Sequence, residues 1–371
     1  MKVLHVLDSL NFSGVEMMLT CSINHWKQAK ITSSILATGY EIGPAYNLLK
    51  KKGYKINHIS FAKHKIFGPF IRLLSFFFLL NFLLKNKFDI IHIHTEGNNF
   101  KFCLCAILSG HKKIIRTIQN VFFPSLIFRL RRKVVFKFCK LFKVKFISAG
   151  DSVKRNELIN YNLKTLRIYN FYDDNKFYFI NNNLKQKLRA KYKIPRNTLV
   201  LLSVGNCSNI KNHNLIFKSL SILPKNLNWI YFHIGEEDYN KSERKLAKQL
   251  DIQKKCKFLG AYYNWRSIGF ISDIYLMPSL HEGLPCSAIE AGAIGLIPIL
   301  SKRPGNVDIL NKIKGTIGIK LDPISLKQAI LKIHSITKKQ RLKLSFSVHQ
   351  QTKKYFSKKN ITSYIKIYKS I

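Results

Sequence analysis

With 371 residues, 46% of them hydrophobic and 22% charged, the chain is too long for one ordinary core and long enough for two domains of about 180 residues; this composition excludes disordered, collagen-like and disulfide-framework proteins. The net charge of +44 invites an anionic partner, nucleic acid or membrane. It is spread evenly, with 29 basic and 9 acidic side chains up to residue 178 and 34 and 10 beyond, and 50 of the 63 basic residues are lysines, so charge alone identifies no partner.

The N-terminal run 1–8 is too short and too polar for a signal peptide and reads as a first buried strand. Strands are then expected at 2–8, 32–39, 55–61, 88–95, 113–118 and 144–149, alternating with helical stretches, the pattern of a parallel sheet with crossover helices. Several are nearly unbroken apolar runs, as strands covered on both faces should be. Residues 66–84 are mostly apolar but carry Arg72 and Asn81, with Gly68-Pro69 near the start and lysines at both ends. An amphipathic helix packed on the domain or dipped into a membrane surface fits them better than a span, because a span would bury Arg72 in the apolar layer.

From Gly97 to Gly150 there is no acidic residue and there are 12 basic ones, eight of them between Val121 and Phe146 among Phe, Leu and Val. This suits a helix lying on an anionic membrane; a packed helix with a solvated basic face is the alternative. The strand beat is lost between Asp173 and Lys193, a stretch rich in Asn, Lys and aromatics, and a domain boundary belongs there. It restarts at 198–205, 229–235, 256–260, 274–279, 297–301 and 317–321, and 323–371 reads as mostly helical and basic. The expected fold is therefore α/β, two tandem Rossmann-like domains facing across a cleft. The expected divisions are 1–175, a linker at 176–197, 198–345, and a closing helix at 346–371 that packs back toward the first domain.

Seven cysteines, Cys21, Cys103, Cys105, Cys139, Cys207, Cys256 and Cys286, are scattered without a CxxC pair or a His at metal spacing. They imply a reducing compartment and small core-filling thiols, and no metal is expected. Asp151 and Ser152 read as a helix cap.

In such a fold ligands bind beyond the carboxyl ends of the strands. The most informative stretch there is Ser279 to Gly295, SLHEGLPCSAIEAGAIG, which follows an apolar strand and opens a helix near Pro285. The backbone N–H groups of Gly283, Leu284 and the first helical turn suit a phosphate. Glu282 and Glu290, eight residues apart, can face one ligand and accept hydrogen bonds from paired sugar hydroxyls.

This stretch resembles the E-x7-E motif of the family 4 retaining nucleotide-sugar glycosyltransferases, whose fold is the two-Rossmann-domain B type. SDIYLMPSLHEGLPCSAIEAGAIGLIPIL is similar to that family's strand, Pro-Ser, Glu-Gly, helix and following strand. SVGNCSNIKNH, FHIGEE and KFLGAY resemble its other C-terminal elements; SGVE, DIIHIHTEG and LRIYNFYD are sparser matches in the N-terminal half.

The resemblance implies that Glu290 binds the ribose hydroxyls and that Glu282, with the amides of Gly283 and Leu284, holds the donor sugar. It implies that Lys211 neutralises the diphosphate, where negative charge builds as the sugar–phosphate bond breaks. His94 would contact the sugar and phosphate, and Gly14 would let the first loop approach donor or acceptor without a Cβ clash. Asn206 stands beside the donor where the family usually has Arg, leaving Lys302 or Arg303 to supply that charge, and Thr117-Ile118-Gln119-Asn120 stands where relatives often carry His.

The expected function is transfer of a hexose or N-acetylhexosamine from a nucleotide diphosphate sugar, a UDP-sugar, to a lipid-linked or surface glycan, with no cofactor beyond this co-substrate. The enzyme is expected to be cytoplasmic and peripheral at the inner face of an anionic membrane. Retention is implied by the resemblance; no nucleophile is evident, so departure and attack on the same face are expected. The rival readings are a non-catalytic nucleotide-sugar-binding relative, suggested by Asn206 and Gln119, and a basic nucleic-acid-binding protein, against which stands the lack of any nucleic-acid signature.

Overall fold

The computed structural model describes residues 1–371 apart from 62–67, 97–98, 123–124 and 262–263, with the side chains of 68–72 also left aside. The chain forms two compact units, Met1–Phe171 with Lys358–Ile371, and Tyr172–Ser357.

The first unit is built on seven parallel strands: β1 (Lys2–Leu7), β2 (Thr32–Ala37), β3 (Lys55–His58), β4 (Ile90–Ile93), β5 (Ile114–Ile118), β6 (Lys145–Ser148) and β7 (Leu166–Arg167), in the order β3-β2-β1-β4-β5-β6-β7. β1, β4 and β5 are buried almost throughout, which explains their near-continuous apolar sequence. Crossover helices cover both faces. On one side Trp26, Ile35 and Phe171 pack with Ile361, Tyr364 and Tyr368 of the last helix, Ile361–Ser370. On the other, Phe102, Phe136 and Phe146 pack with Leu79 and Leu83 of the helix Gly68–Lys85.

The second unit repeats the plan with β8 (Leu199–Val204), β9 (Trp229–Ile234), β10 (Cys256–Phe258), β11 (Ile274–Met277), β12 (Ile297–Ser301) and β13 (Ile317–Ile319), ordered β10-β9-β8-β11-β12-β13, all parallel. Consecutive strands run outward from β1 and from β8 in one direction, and the order then jumps to β4 and to β11. The β1/β4 and β8/β11 junctions are therefore the points where connections leave in opposite directions and open a crevice at the strand ends.

The twelve expected strands are present, trimmed at their ends, and β7 is additional. The expected linker 176–197 contains the helix Asn182–Lys191, capped by Asn181, and groups with the second unit. Of the expected closing helix at 346–371, residues up to Ser357 also group with the second unit, within or just after the helix Lys338–Phe356, and only Lys358–Ile371 group with the first. Asp151 is not a cap. Gly150 holds the N-cap position, Asp151 is the first helical residue, and its carboxylate pairs with Arg167 at 2.6 Å and accepts from the Tyr169 hydroxyl.

Candidate active site

The second unit gathers its chemistry on the loops after β8 and β11. Gly205 directly follows β8, and a Cβ built on Gly235 would lie 2.0 Å from the Gly205 carbonyl oxygen, so the chain exits from β8 and β9 can run this close only with glycine at 235. Asn206 then bridges sideways: its side-chain oxygen accepts the Glu236 N–H at 3.0 Å and its amide donates to the Glu236 carboxylate at 3.3 Å. Lys211 lies five residues on, with its side-chain carbons over Gly205. The next residue, Asn212, adopts a left-handed conformation and starts the helix His213–Ser221, while its amide donates to the Pro278 carbonyl at 3.2 Å. The Leu280 N–H donates to the Ile210 carbonyl at 2.8 Å, so the two loops are stitched together.

Across this seam Lys211 Nζ donates to Glu282 Oε1 at 2.8 Å. Glu282 is held from behind by the turn at Pro304-Gly305: its N–H donates to the Pro304 carbonyl at 2.9 Å, and a Cβ on Gly305, whose φ is +82°, would meet the Glu282 carbonyl at 2.5 Å. Gly283 and Leu284 are buried and lead into the helix Cys286–Ala293. Tyr275 of β11 donates to Ser287 at 2.8 Å and, with Ser287, reaches the Val204 carbonyl, which fixes this helix against β8.

Glu290 sits one turn further along the helix and is 9% exposed. Burial pushes its carboxyl up to about 7, while Lys176 and a hydrogen bond from Trp265 limit the rise. Burial also lowers Lys176, opposed by Glu290. Residue 176 belongs to the segment expected as a linker, so sequence reading missed it as a partner of Glu290. Lys302 turns along Gly318, where a Cβ would meet its Cε at 3.1 Å.

His94 and Gly14 belong to the first unit. Gly14 is the first residue of the helix Gly14–Gln28. His94 follows β4 and forms a cluster with His5 of β1 and His92 of β4 across the β1/β4 junction: His5 Nδ1 and His94 Nε2 are 3.1 Å apart. His92 is satisfied on both sides, by Tyr368 at 2.5 Å and Thr117 at 2.7 Å, whereas His94 Nδ1 is buried without a hydrogen-bond partner. Burial and then the His5 ring hold His94 well below the usual imidazole range, so near neutral pH it is an uncharged donor and acceptor. Gln119 keeps its side-chain nitrogen buried without a partner, and its N–H donates to Glu96 at 2.7 Å.

A cavity of about 770 Å³ in the second unit lies elsewhere. It is lined by Lys185, Arg189, Asp273, Lys338 and Arg341, next to the amino ends of β8, β11 and β12. Volume alone is a poor guide here; the convergent lysine, carboxylates and glycine turns are at the carboxyl ends.

Residues 185–354 match the model of the family described as glycosyl transferases group 1. Over 241 residues the chain is 28% identical to the Escherichia coli UDP-Gal:alpha-D-GlcNAc-diphosphoundecaprenol alpha-1,3-galactosyltransferase, a match covering 62% of this chain and 61% of that protein. It is 24% identical over 319 residues to the Staphylococcus aureus capsular polysaccharide biosynthesis glycosyltransferase CapH, covering 83% of each. Among solved structures, Anabaena Alr3699/HepE in complex with UDP and glucose superposes with a TM-score of 0.83 at 15% identity, covering 100% of this chain and 99% of that one, a likeness of fold.

Proposed function

We propose, from the match of residues 185–354 to the glycosyl transferases group 1 model, that the chain is a glycosyltransferase that moves a hexose or N-acetylhexosamine from a UDP-sugar to a lipid-linked or surface glycan. The observation that carries the donor site is the ion pair between Lys211 and Glu282 at the β8/β11 junction, with Glu290 on the helix that follows. Lys211 exchanges its carboxylate partner for the diphosphate and stabilises the charge that develops there as the glycosidic bond breaks. Glu282, freed by that exchange, accepts hydrogen bonds from the donor sugar, with the amides of Gly283 and Leu284 beside it. Glu290 accepts from the ribose hydroxyls, and Asn206 lines the donor loop as a neutral hydrogen-bonding group. The uracil base follows the E. coli relative, which is named for UDP-Gal. Retention by departure and attack on one face needs no enzymic nucleophile.

The acceptor side is supported by the surface of the first unit. The helix Leu126–Leu141 buries Arg132, Phe136 and Cys139, with Arg132 paired to Glu157 at 3.0 Å, and turns Ile127, Leu130, Val134 and Leu141 outward beside Arg131, Lys137 and Lys140. Ile127 is 81% and Leu141 76% exposed. The helix Gly68–Lys85 likewise exposes Leu73, Phe77, Phe78 and Leu84. Among the described residues no helix is long and apolar enough to cross a membrane. Basic residues flanking outward apolar ones suit docking onto an anionic bilayer, where a lipid-linked acceptor resides.

The test is a thermal-shift and turnover screen of the purified chain against UDP-, GDP- and ADP-sugars, with Glu290→Ala and Lys211→Ala alongside. Stabilisation by UDP-sugars that both substitutions abolish, with turnover on a lipid-linked acceptor, is expected. Binding without turnover on any glycan acceptor marks a non-catalytic relative, and silence toward all nucleotides in folded protein removes the donor site.

A further inference from the structure

A second cluster of chemistry lies beside the donor loop and has no part in the transfer just described. Cys207 follows Asn206 in the loop after β8, His213 starts the helix His213–Ser221, His233 lies near the end of β9, and Glu243 is in the first turn of the helix Ser242–Gln249. One ligand atom from each lies within 4.8 Å of all the others. His213, His233 and Glu243 are buried, at 4%, 0% and 5% exposure. We propose that these four side chains form a structural zinc site that clamps the loop bearing Lys211.

The geometry is close to that of an ion cage. Cys207 Sγ is 3.5 Å from His233 Nε2, and His233 Nε2 is 3.7 Å from Glu243 Oε2. Tetrahedral zinc, with bonds of about 2.0–2.3 Å, requires its ligands to stand about 3.3–3.8 Å apart. The His213 ring reaches Glu243 Oε1 at 2.8 Å, and a small outward shift brings its Nδ1 to the same centre. His233 is already oriented from behind: its Nδ1 faces the Ser203 hydroxyl at 3.3 Å, which leaves Nε2 pointing into the cluster, the arrangement that fixes the tautomer of a metal-bound imidazole.

A plain hydrogen-bond network accounts for less. The His213–Glu243 bond satisfies one carboxylate oxygen, whereas Glu243 Oε2 is buried without a hydrogen bond of good geometry, the Cys207 thiol being the other group that approaches the carboxylate. A weakly partnered carboxylate oxygen in the interior is costly, and a cation at the centre supplies what it lacks. The donor set chooses the metal: one thiolate, two imidazoles and one carboxylate suit zinc and exclude calcium and magnesium, which take oxygen. Four protein donors close the coordination sphere, so the ion binds no substrate. Binding releases the Cys207 thiol proton.

The consequence for the neighbouring site comes from chain order. Cys207 and His213 bracket Lys211, so an ion joining them to β9 and to the helix Ser242–Gln249 ties both ends of the loop to the sheet. Zinc is then a device of stability and loop placement, independent of which donor sugar is used.

The experiment is a cobalt(II) and zinc(II) titration of tag-free, chelator-treated full chain. Wild-type protein should take up one equivalent of either ion, give a thiolate-to-cobalt charge-transfer band with strong tetrahedral ligand-field bands, and melt at higher temperature with zinc. Cys207→Ser should lose the charge-transfer band and bind at least tenfold more weakly, and Glu243→Gln should weaken binding while keeping the band. Failure of folded wild-type protein to bind stoichiometrically, or a cobalt spectrum unchanged by Cys207→Ser, overturns the proposal. The wild-type titration decides even if a variant does not fold, and none of these readouts depends on glycosyl transfer.

Discussion

Lys211 Nζ stands 2.8 Å from Glu282 Oε1, so the cation offered to the diphosphate has a carboxylate partner before any donor arrives. The pair is only partly desolvated and exchangeable, unlike a sealed interior ion pair. Lys211→Ala should lower kcat/KM by about 10²–10³-fold, the usual loss when a group stabilising transition-state charge is removed. Steady-state kinetics with the cognate donor checks this, and an equal loss on Lys211→Arg would show that shape as well as charge is read there.

Glu290 gives the donor site a pH dependence. Its carboxyl is pushed up to about 7 by burial, and only the ionised form accepts hydrogen bonds at both oxygens. Donor affinity should therefore fall as pH drops below about 7, and Glu290→Gln should flatten that limb at the lower level. Stability runs the opposite way: the folded state holds this proton more tightly than the unfolded chain, so stability is lost as pH rises from the unfolded value toward 7. The Tm of Glu290→Gln relative to wild type should rise over that interval, as melts across pH will show.

His94 should keep its neutral ring throughout the physiological range, because burial and His5 oppose protonation. An NMR titration of imidazole signals should find no protonation of His94 between about pH 5 and 8, where an ordinary histidine changes charge.

Asp273 anchors the amino end of β11. Lys185 at 2.9 Å, Arg189 at 2.5 Å and the Val200 N–H at 2.9 Å converge on it. Burial by itself would raise this carboxyl, but these partners hold it down at about 2. Its folded value is depressed, so its contribution is complete above the unfolded value of about 3.9 and is lost as pH falls toward 2. Arg189→Ala should cost about 3 kcal/mol at neutral pH by removing one of the two cations that neutralise the buried carboxylate, measured by urea unfolding.

On the helix Leu126–Leu141, Ile127→Glu with Val134→Glu should abolish cosedimentation with vesicles rich in anionic lipid and leave the melting temperature unchanged, since both side chains face outward. Retained sedimentation at low salt only would reduce the contact to charge.

Strands and their order of appearance were legible because parallel strands buried on both faces write themselves as apolar runs; β7, two exposed residues, left no such trace. Lys211, Glu282 and Glu290 could be picked out from their positions after strands. Lys176 could not, since its approach to Glu290 depends on how a stretch without periodicity folds back. The Cys207, His213, His233 and Glu243 cluster was invisible for a related reason: its spacings are set by a sheet and two helices, not by a short motif, and the sequence reading took Cys207 for core filler. The exposed apolar row on the helix Leu126–Leu141 was legible as composition, but which residues faced outward was not.

The hydrogen bond between His92 and Tyr368 spans 276 positions of sequence. Tyr368 and its neighbours Ile361 and Tyr364 complete the core around Trp26 and Ile35, although every strand of that sheet has been made by residue 167. During synthesis, the first unit must wait, with one face of its interior uncovered, while the whole of Tyr172–Ser357 emerges from the ribosome; its histidine cluster acquires its final shape only once Tyr368 has followed.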